Sequence, residues 1–388
     1  MKNEFPYRRT IEILKRLVSF PTVSQETNIP LIDYMEDLLK AAGFETTRFT
    51  DPDSPKSGLM ARIGGGGPGG VMLSAHSDVV PVEGQKWTKP PFELTLEKEK
   101  YFGRGTTDMK GFLASMLSLA ERAGETTPEK PLMLAISYDE EIGCQGIRKM
   151  LPNIGRLGWK PDLCIVGEPT SMRLATGHKG KAAFRATCYG NTGHSALAPK
   201  FVNALHIAGD LLSALRALQD EYEFSIVRDP AYDIPYSTIH VGSLHGGSVL
   251  NIVPGKAELD FELRHLAADS LEQFECRLKE KVQTVVDTWR KKSSDADISI
   301  TGVNQYPGLE VSERSQEVSR FFGIFGAQEK VKVAFGTEAG FFASLGIPTV
   351  VCGPGDMEAQ GHKADEYITV EQLNACDVMM DKLMEALE

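Results

Sequence analysis

The residues best suited to chemistry begin with a histidine and a carboxylate two positions apart, His76 and Asp78, in the stretch 70–81. Val71 to Leu73 is a short apolar run after a glycine-rich turn, which reads as a buried strand of a parallel sheet. Residues two apart on an extended chain point to the same side, so the imidazole and the carboxylate share a face. In open α/β sheets, chemistry gathers at the carboxyl edge of the strands. There the pair fits a metal ligand and the group that orients it. Taken alone, it equally fits a half-buried histidine bonded to its neighbour.

Further acids and a second histidine share that context. Asp108, Glu140 with Glu141, Glu168 and His362 each lie just beyond, or within a few residues of, an apolar segment. Clustered carboxylates repel one another unless a cation neutralises them. Imidazoles mixed with carboxylates, without thiolates, fit catalytic zinc or a similar transition ion. Two imidazoles and three carboxylates exceed what one catalytic zinc with an open position takes. They suit two ions that share a bridging carboxylate at ~3.5–4 Å separation. The adjacent Glu140 and Glu141 point in different directions, so one can bind metal while the other serves as general base.

Elements must hold these residues at one edge. Helices are expected over 7–18, 29–42, 110–124 and 144–151, and strands over 44–49, 59–63, 71–73, 132–137 and 163–166. This alternation predicts an α/β sheet, mostly parallel. The pattern changes near Gly177. Strands over 179–189, 237–243 and 256–264 accompany long helices over 203–219 and 270–290, a layout closer to α+β. An inserted second domain is therefore expected over 178–292, with the first formed by 1–177 and 293–388. A strand over 298–303, a helix over 315–325, a strand over 349–352 and a closing helix over 370–387 complete the first domain. The run Gly64–Gly67 lacks the Lys-Ser/Thr of a phosphate loop and reads as a plain connection between strands.

The totals exclude several functions. With 388 residues, two domains are the natural expectation. A net charge of −11 leaves no basic surplus for nucleic acid or anionic membranes. No stretch approaches the ~20 apolar residues that span a bilayer. The six scattered cysteines form no CxxC pair, as for reduced thiols, and Met1 to Thr10 lack the apolar core of a signal peptide. The expectation is a cytoplasmic protein acting on a small molecule, with neither nucleic acid nor membrane as partner.

Five stretches resemble, in order, the signatures of the M20 metallopeptidases: 75–81 (AHSDVVP), 103–111 (GRGTTDMKG), 139–143 (DEEIG), 167–170 (GEPT) and 361–366 (GHKADE). The resemblance spans nearly the whole chain. It implies a zinc-aminopeptidase-like α/β/α catalytic domain with an inserted α+β dimerisation, or lid, domain. It implies hydrolysis of N-acyl amino acids with two Zn²⁺, Co²⁺ or Mn²⁺ being possible substitutes. One ion would be held by His76, Asp108 and Glu168, the other by Asp108, Glu141 and His362. Asp108 would bridge them, Asp78 would support His76, and Glu140 would be the general base. Stretch 193–196 (GHSA) resembles the element that lends a histidine, here His194, to a partner subunit's active site in a homodimer. Asn251, Arg264, Gly336 and Thr337 match positions that contact substrate or oxyanion. Stretches 177–180 and 336–340 are most similar to the family's deacetylase branch, with Gly340 a departure. The desuccinylase branch is the runner-up. A metal- or amino-acid-binding module would need a broken ligand or base set, and none is broken.

Overall fold

The structure is a computed structural model and describes residues 7–225, 227–312, 314–327 and 329–388. The chain forms two compact units. One runs to Gly177 and takes in Leu309–Val333 and Thr337–Glu388; the other is His178–Gly308 with Ala334–Gly336.

In the first unit, nine strands among the described residues form one sheet. Its centre is parallel, in the spatial order Leu132–Ser137, Val71–His76, Leu163–Val166, Thr349–Val351. All residues of these four strands are buried. Successive side chains of a strand face opposite ways, so both faces of the sheet are covered. Helices Arg8–Val18, Ile29–Ala41 and Val370–Leu387 pack on the central helix Gly111–Thr126, which is buried nearly all round over its first turns.

The flanks depart from the mostly parallel expectation. Ser57–Ile63 lies antiparallel to Leu132–Ser137, and Glu45–Thr50 antiparallel to Ser57–Ile63. The connection between these two outer strands is only a turn, which can join antiparallel neighbours but not parallel ones. On the other side, Leu174–His178 runs antiparallel to Thr349–Val351. The helix expected to stop at residue 151 continues through Pro152 to Leu157. Ile147, Met150 and Ile154 keep one buried stripe across the proline, and that burial holds the helix together.

The second unit is an antiparallel sheet in the order Thr238–Gly246, Lys256–His265, Gly180–Tyr189, Asp297–Tyr306. Alternate residues Ala182, Phe184, Ala186 and Cys188, with Ala257, Leu259, Phe261 and Leu263, are buried in one core with helices Ala204–Glu223 and Leu271–Arg290. Each helix starts at a side-chain cap: Asn203 accepts from the Leu205 N–H and Ser270 from the Gln273 N–H. The strand expected to return to the first domain at 298–303 instead pairs with Gly180–Tyr189, so this unit extends to Gly308 rather than ending at 292. Its apolar alternation is that of a strand covered on one face, which marks a strand without naming its partner.

Candidate active site

The candidate ligands leave neighbouring strands at one edge of the first unit's sheet. His76 is the last residue of its strand and pairs with Ser137, three residues before Glu140. Val166 ends the strand on the other side, two residues before Glu168. Asp108 sits in the kinked segment Thr106–Lys110 that opens the central helix, and its peptide bond to Met109 is cis. His362 lies in the loop before strand Tyr367–Thr369, with a left-handed φ of 57°.

Asp108 divides its two oxygens between the two histidines. His76 Nε2 lies 3.1 Å from Oδ1 and His362 Nε2 lies 3.1 Å from Oδ2. Glu168 Oε1 is 4.0 Å from His76 Nε2, and Glu141 Oε2 is 2.9 Å from His362 Nε2. Two sets of three donor atoms result, His76–Asp108–Glu168 and Asp108–Glu141–His362, each with its atoms within 4.8 Å of one another. Glu141 Oε1 and Glu168 Oε1 are buried without a hydrogen-bond partner among the described residues. Buried carboxylate oxygens left so are costly unless something positive meets them. Mixed imidazole and carboxylate donors around orphaned oxygens fit a pair of divalent ions sharing Asp108.

The neighbours that hold this set are equally specific. His76 Nδ1 faces the Asp78 carbonyl oxygen at 3.0 Å, while the Asp78 carboxylate accepts from the Glu140 N–H at 3.0 Å, the Glu141 N–H at 3.3 Å and the Ser24 hydroxyl at 2.7 Å. Asp78 therefore ties the His76 strand to the Glu140–Glu141 turn as well as steadying the imidazole. Buried Glu366 accepts from the N–H groups of Gly105, Thr107 and Asp108 at 2.9–3.1 Å and from Arg104 Nη1 at 2.6 Å. It fixes the Asp108 segment to the His362 loop. Gly167 lies against the Phe112 ring, where a Cβ would fall 2.1–2.3 Å from ring carbons, so the Glu168 turn and the central helix meet at a position only glycine fills. Buried Lys56 pairs with Asp139, which also accepts from the Gln25 N–H at 2.9 Å and anchors the turn before Glu140.

The electrostatics follow from burial. Burial alone would raise Asp108, but its hydrogen bonds to His362 and His76 outweigh that and hold it well below the usual carboxylate range. Burial, reinforced by the Asp108 charge, pushes Glu141 up to about 8 and Glu168 well above its ordinary value. Glu140 is pushed up to about 7 by burial, against the pull of His76. A carboxylate titrating near neutrality is matched to general-base work at neutral pH.

The remaining expected residues are divided between the two units. His194, Asn251, Arg264 and Gly336 belong to the second unit. Gly193–His194 pairs with Ile252–Val253, and the Ser195 N–H donates to the Asn251 carbonyl at 3.0 Å, so His194 and Asn251 are neighbours on an exposed ladder. Thr337 is buried in the first unit, where its hydroxyl accepts from the Ala339 N–H at 3.0 Å. Sequence reasoning missed Glu366, although it stands in the quoted 361–366 stretch, and Glu338. Glu338 is buried and raised by burial to about 8. An acid following Gly336-Thr337 was its only signal.

The parallel centre of the sheet thus carries two adjoining histidine–carboxylate triads at its carboxyl edge, a donor set that fits divalent ions. The chain belongs to peptidase family M20/M25/M40, whose model matches residues 72–386. It is 32% identical to acetylornithine deacetylase of Buchnera aphidicola subsp. Acyrthosiphon pisum (strain APS), over 92% of each chain. It is also 32% identical to acetylornithine deacetylase of Aliivibrio fischeri (strain MJ11), over 95% of this chain and 96% of that protein. The fold matches the M20 family metallo-carboxypeptidase Sso-CP2 from Sulfolobus solfataricus with TM-score 0.77 at 18% identity, covering 97% and 98% of the two chains. It also matches the Bacillus subtilis YXEP protein, a dinuclear metal-binding M20 peptidase, with TM-score 0.68 at 15% identity, covering 98% of each chain. The protein is a hydrolase acting on amide bonds.

Proposed function

We propose that the protein removes the acetyl group from Nα-acetyl-L-ornithine, releasing ornithine and acetate in the cytoplasm as a step of arginine biosynthesis. The observation that carries the chemistry is Asp108, whose two oxygens each face a separate donor triad. The substrate rests on the relatives named acetylornithine deacetylase, which align with nearly the whole chain. His76, Asp108 and Glu168 would hold one Zn²⁺, and Asp108, Glu141 and His362 the other. When bound, such ions would supply Lewis-acid chemistry, polarising the amide carbonyl and acidifying a water. Glu140 would take a proton from the attacking water and return it to the departing amine nitrogen as the C–N bond breaks. Asp78 keeps Glu140 and Glu141 in register with His76 through the two N–H bonds it accepts.

The second unit supplies the rest of this reading. Its edge strand Thr238–Gly246 and the exposed Val249, Leu250 and Ile252 offer a surface for a second copy of the chain. In that homodimer His194 would reach the partner's substrate and stabilise negative charge developing on the amide oxygen. Arg264 would grip the substrate α-carboxylate, with Asn251, Gly336 and Thr337 around the acyl group.

The test is hydrolysis of Nα-acetyl-ornithine against N-succinyl-diaminopimelate, with Zn²⁺ or Co²⁺ added. Turnover of the first in preference to the second is expected. Preference for the succinylated substrate would move the protein to the desuccinylase branch, which shares the ligands and to which the departure at Gly340 leaves room. Hydrolysis of neither would overturn the substrate assignment.

A further inference from the structure

The last strand of the second unit's sheet contains a bulge. Gly302 pairs with Phe184, but Asn304 pairs with the next residue, Ala183, leaving exposed Val303 as the extra residue. Ahead of the bulge, Ile298 pairs with Cys188 on the face buried against the helices. Simple alternation would turn Tyr306 to that face too. One inserted residue reverses the alternation and re-aims every side chain beyond it. Tyr306 consequently stands opposite Lys181, and Lys181 stands opposite Arg264 on the strand beyond. The three side chains form a row across adjacent strands on the face away from the helices.

The row is bonded end to end. Arg264 Nη1 donates to the Tyr306 hydroxyl at 2.6 Å, Arg264 Nε donates to Glu262 Oε1 at 2.8 Å, and Lys181 Nζ lies 2.9 Å from Glu262 Oε2. One carboxylate faces two cations, so the group keeps a net positive charge suited to an anion. Tyr306 is buried, and Gly336 abuts its ring: a Cβ on Gly336 would fall 2.1–2.3 Å from Cε2, Cζ and Oη of the phenol. No side chain fits there without displacing the ring. Gly336, expected to touch substrate, is thus required by Tyr306.

We infer that Tyr306 is a positioning residue for Arg264, seated by the bulge at Val303 and by Gly336, and that it aims the guanidinium fork at the carboxylate of the substrate. The inference rests on the proposed role of Arg264 as the carboxylate contact. A guanidinium held on one side by a phenol and on another by a carboxylate loses little freedom when it binds a planar anion bidentately. In this assignment Tyr306 and the bulge act through Arg264.

The experiment compares kcat and KM for an N-acyl amino acid and for its primary carboxamide, which lacks the α-carboxylate. The acyl amino acid is whichever one the wild-type protein cleaves, so an error in the acyl group proposed above shows up separately. Tyr306→Phe should lower kcat/KM for the acid about tenfold, mainly through KM, as loss of one hydrogen bond to a charged group does. The carboxamide should change less than about twofold, and the thermal midpoint should stay near wild type. Equal losses on acid and carboxamide, or no loss on the acid, would overturn the inference.

Discussion

Replacing Glu366 with glutamine tests how the site is held together without touching any proposed metal ligand. Oε1 accepts from the N–H groups of Thr107 and Asp108, and Oε2 accepts from Arg104 Nη1 and the Gly105 N–H. A glutamine presents one oxygen and one NH2 group, so whichever way it turns, two of the four donors meet another donor. Each buried donor left unmet costs about 1–3 kcal/mol, and stripping a buried cation of its anion costs about 3–5 kcal/mol. Arg104 and Glu366 are both about 1% exposed in their side chains, so solvent does not soften the loss. About 2–6 kcal/mol is expected when the amide nitrogen faces Thr107 and Asp108 and about 4–8 kcal/mol when it faces Arg104 and Gly105, within a domain stability of about 5–15 kcal/mol. At ~2–4 °C per kcal/mol for a domain of this size, the thermal midpoint should fall by about 10 °C. Because Glu366 also fixes the Asp108 backbone, zinc affinity should fall along with it. Differential scanning calorimetry and zinc titration of Glu366→Gln and wild type give both numbers. A midpoint within about 2 °C of wild type, with zinc affinity unchanged, would refute the claim that this carboxylate organises the Asp108 segment.

Other consequences follow from the same geometry. Glu140→Gln should keep both metal ions by elemental analysis while kcat falls by about 10²–10⁴, the usual contribution of a positioned base. Gly167→Ala should overpack the Phe112 contact and cost about 1–3 kcal/mol, with Phe112→Leu in the same chain recovering part of it in denaturant titrations. Metal-induced stabilisation should grow with pH. Glu141, raised by burial to about 8, and His362, raised by its bonds to Asp108 and Glu141, both hold protons that an ion must displace. In the metal-free protein their contribution to stability is present at low pH and fades as pH rises through those folded values. The gap between zinc-loaded and chelator-treated midpoints should therefore widen from about pH 5.5 to about pH 8, and a gap that narrows would contradict it.

The catalytic half of the fold was legible because its strands advertise themselves. Val71–Leu73, Leu132–Ser137 and Leu163–Val166 are apolar runs too short for helices, and each is followed within a few residues by His76, Glu140 or Glu168. Parallel strands end at a common edge, so reading their ends collected His76, Glu140, Glu141 and Glu168, whereas Asp108, at a kinked helix start, and His362, in a loop, follow no such strand. What periodicity does not encode is partnership. The strand Asp297–Tyr306 was visible as a strand, yet its place in the second sheet depends on long-range pairing with Gly180–Tyr189. The bulge at Val303 has no local signature, so the orientation of Tyr306 could not be read. Pairs of short strands such as Gly193–His194 with Ile252–Val253 are too brief to show an alternation. Glu366 and Glu338 looked like ordinary acids in an acidic chain, and only their burial separates them from the surface.

The central claim is that Asp108 stands between two cations. Anomalous diffraction from zinc-loaded crystals, collected across the zinc absorption edge, reads this directly. Two peaks about 3.5–4 Å apart should appear, one among His76, Asp108 and Glu168 and the other among Asp108, Glu141 and His362. A single peak, or peaks that leave Asp108 unliganded on either side, would contradict it.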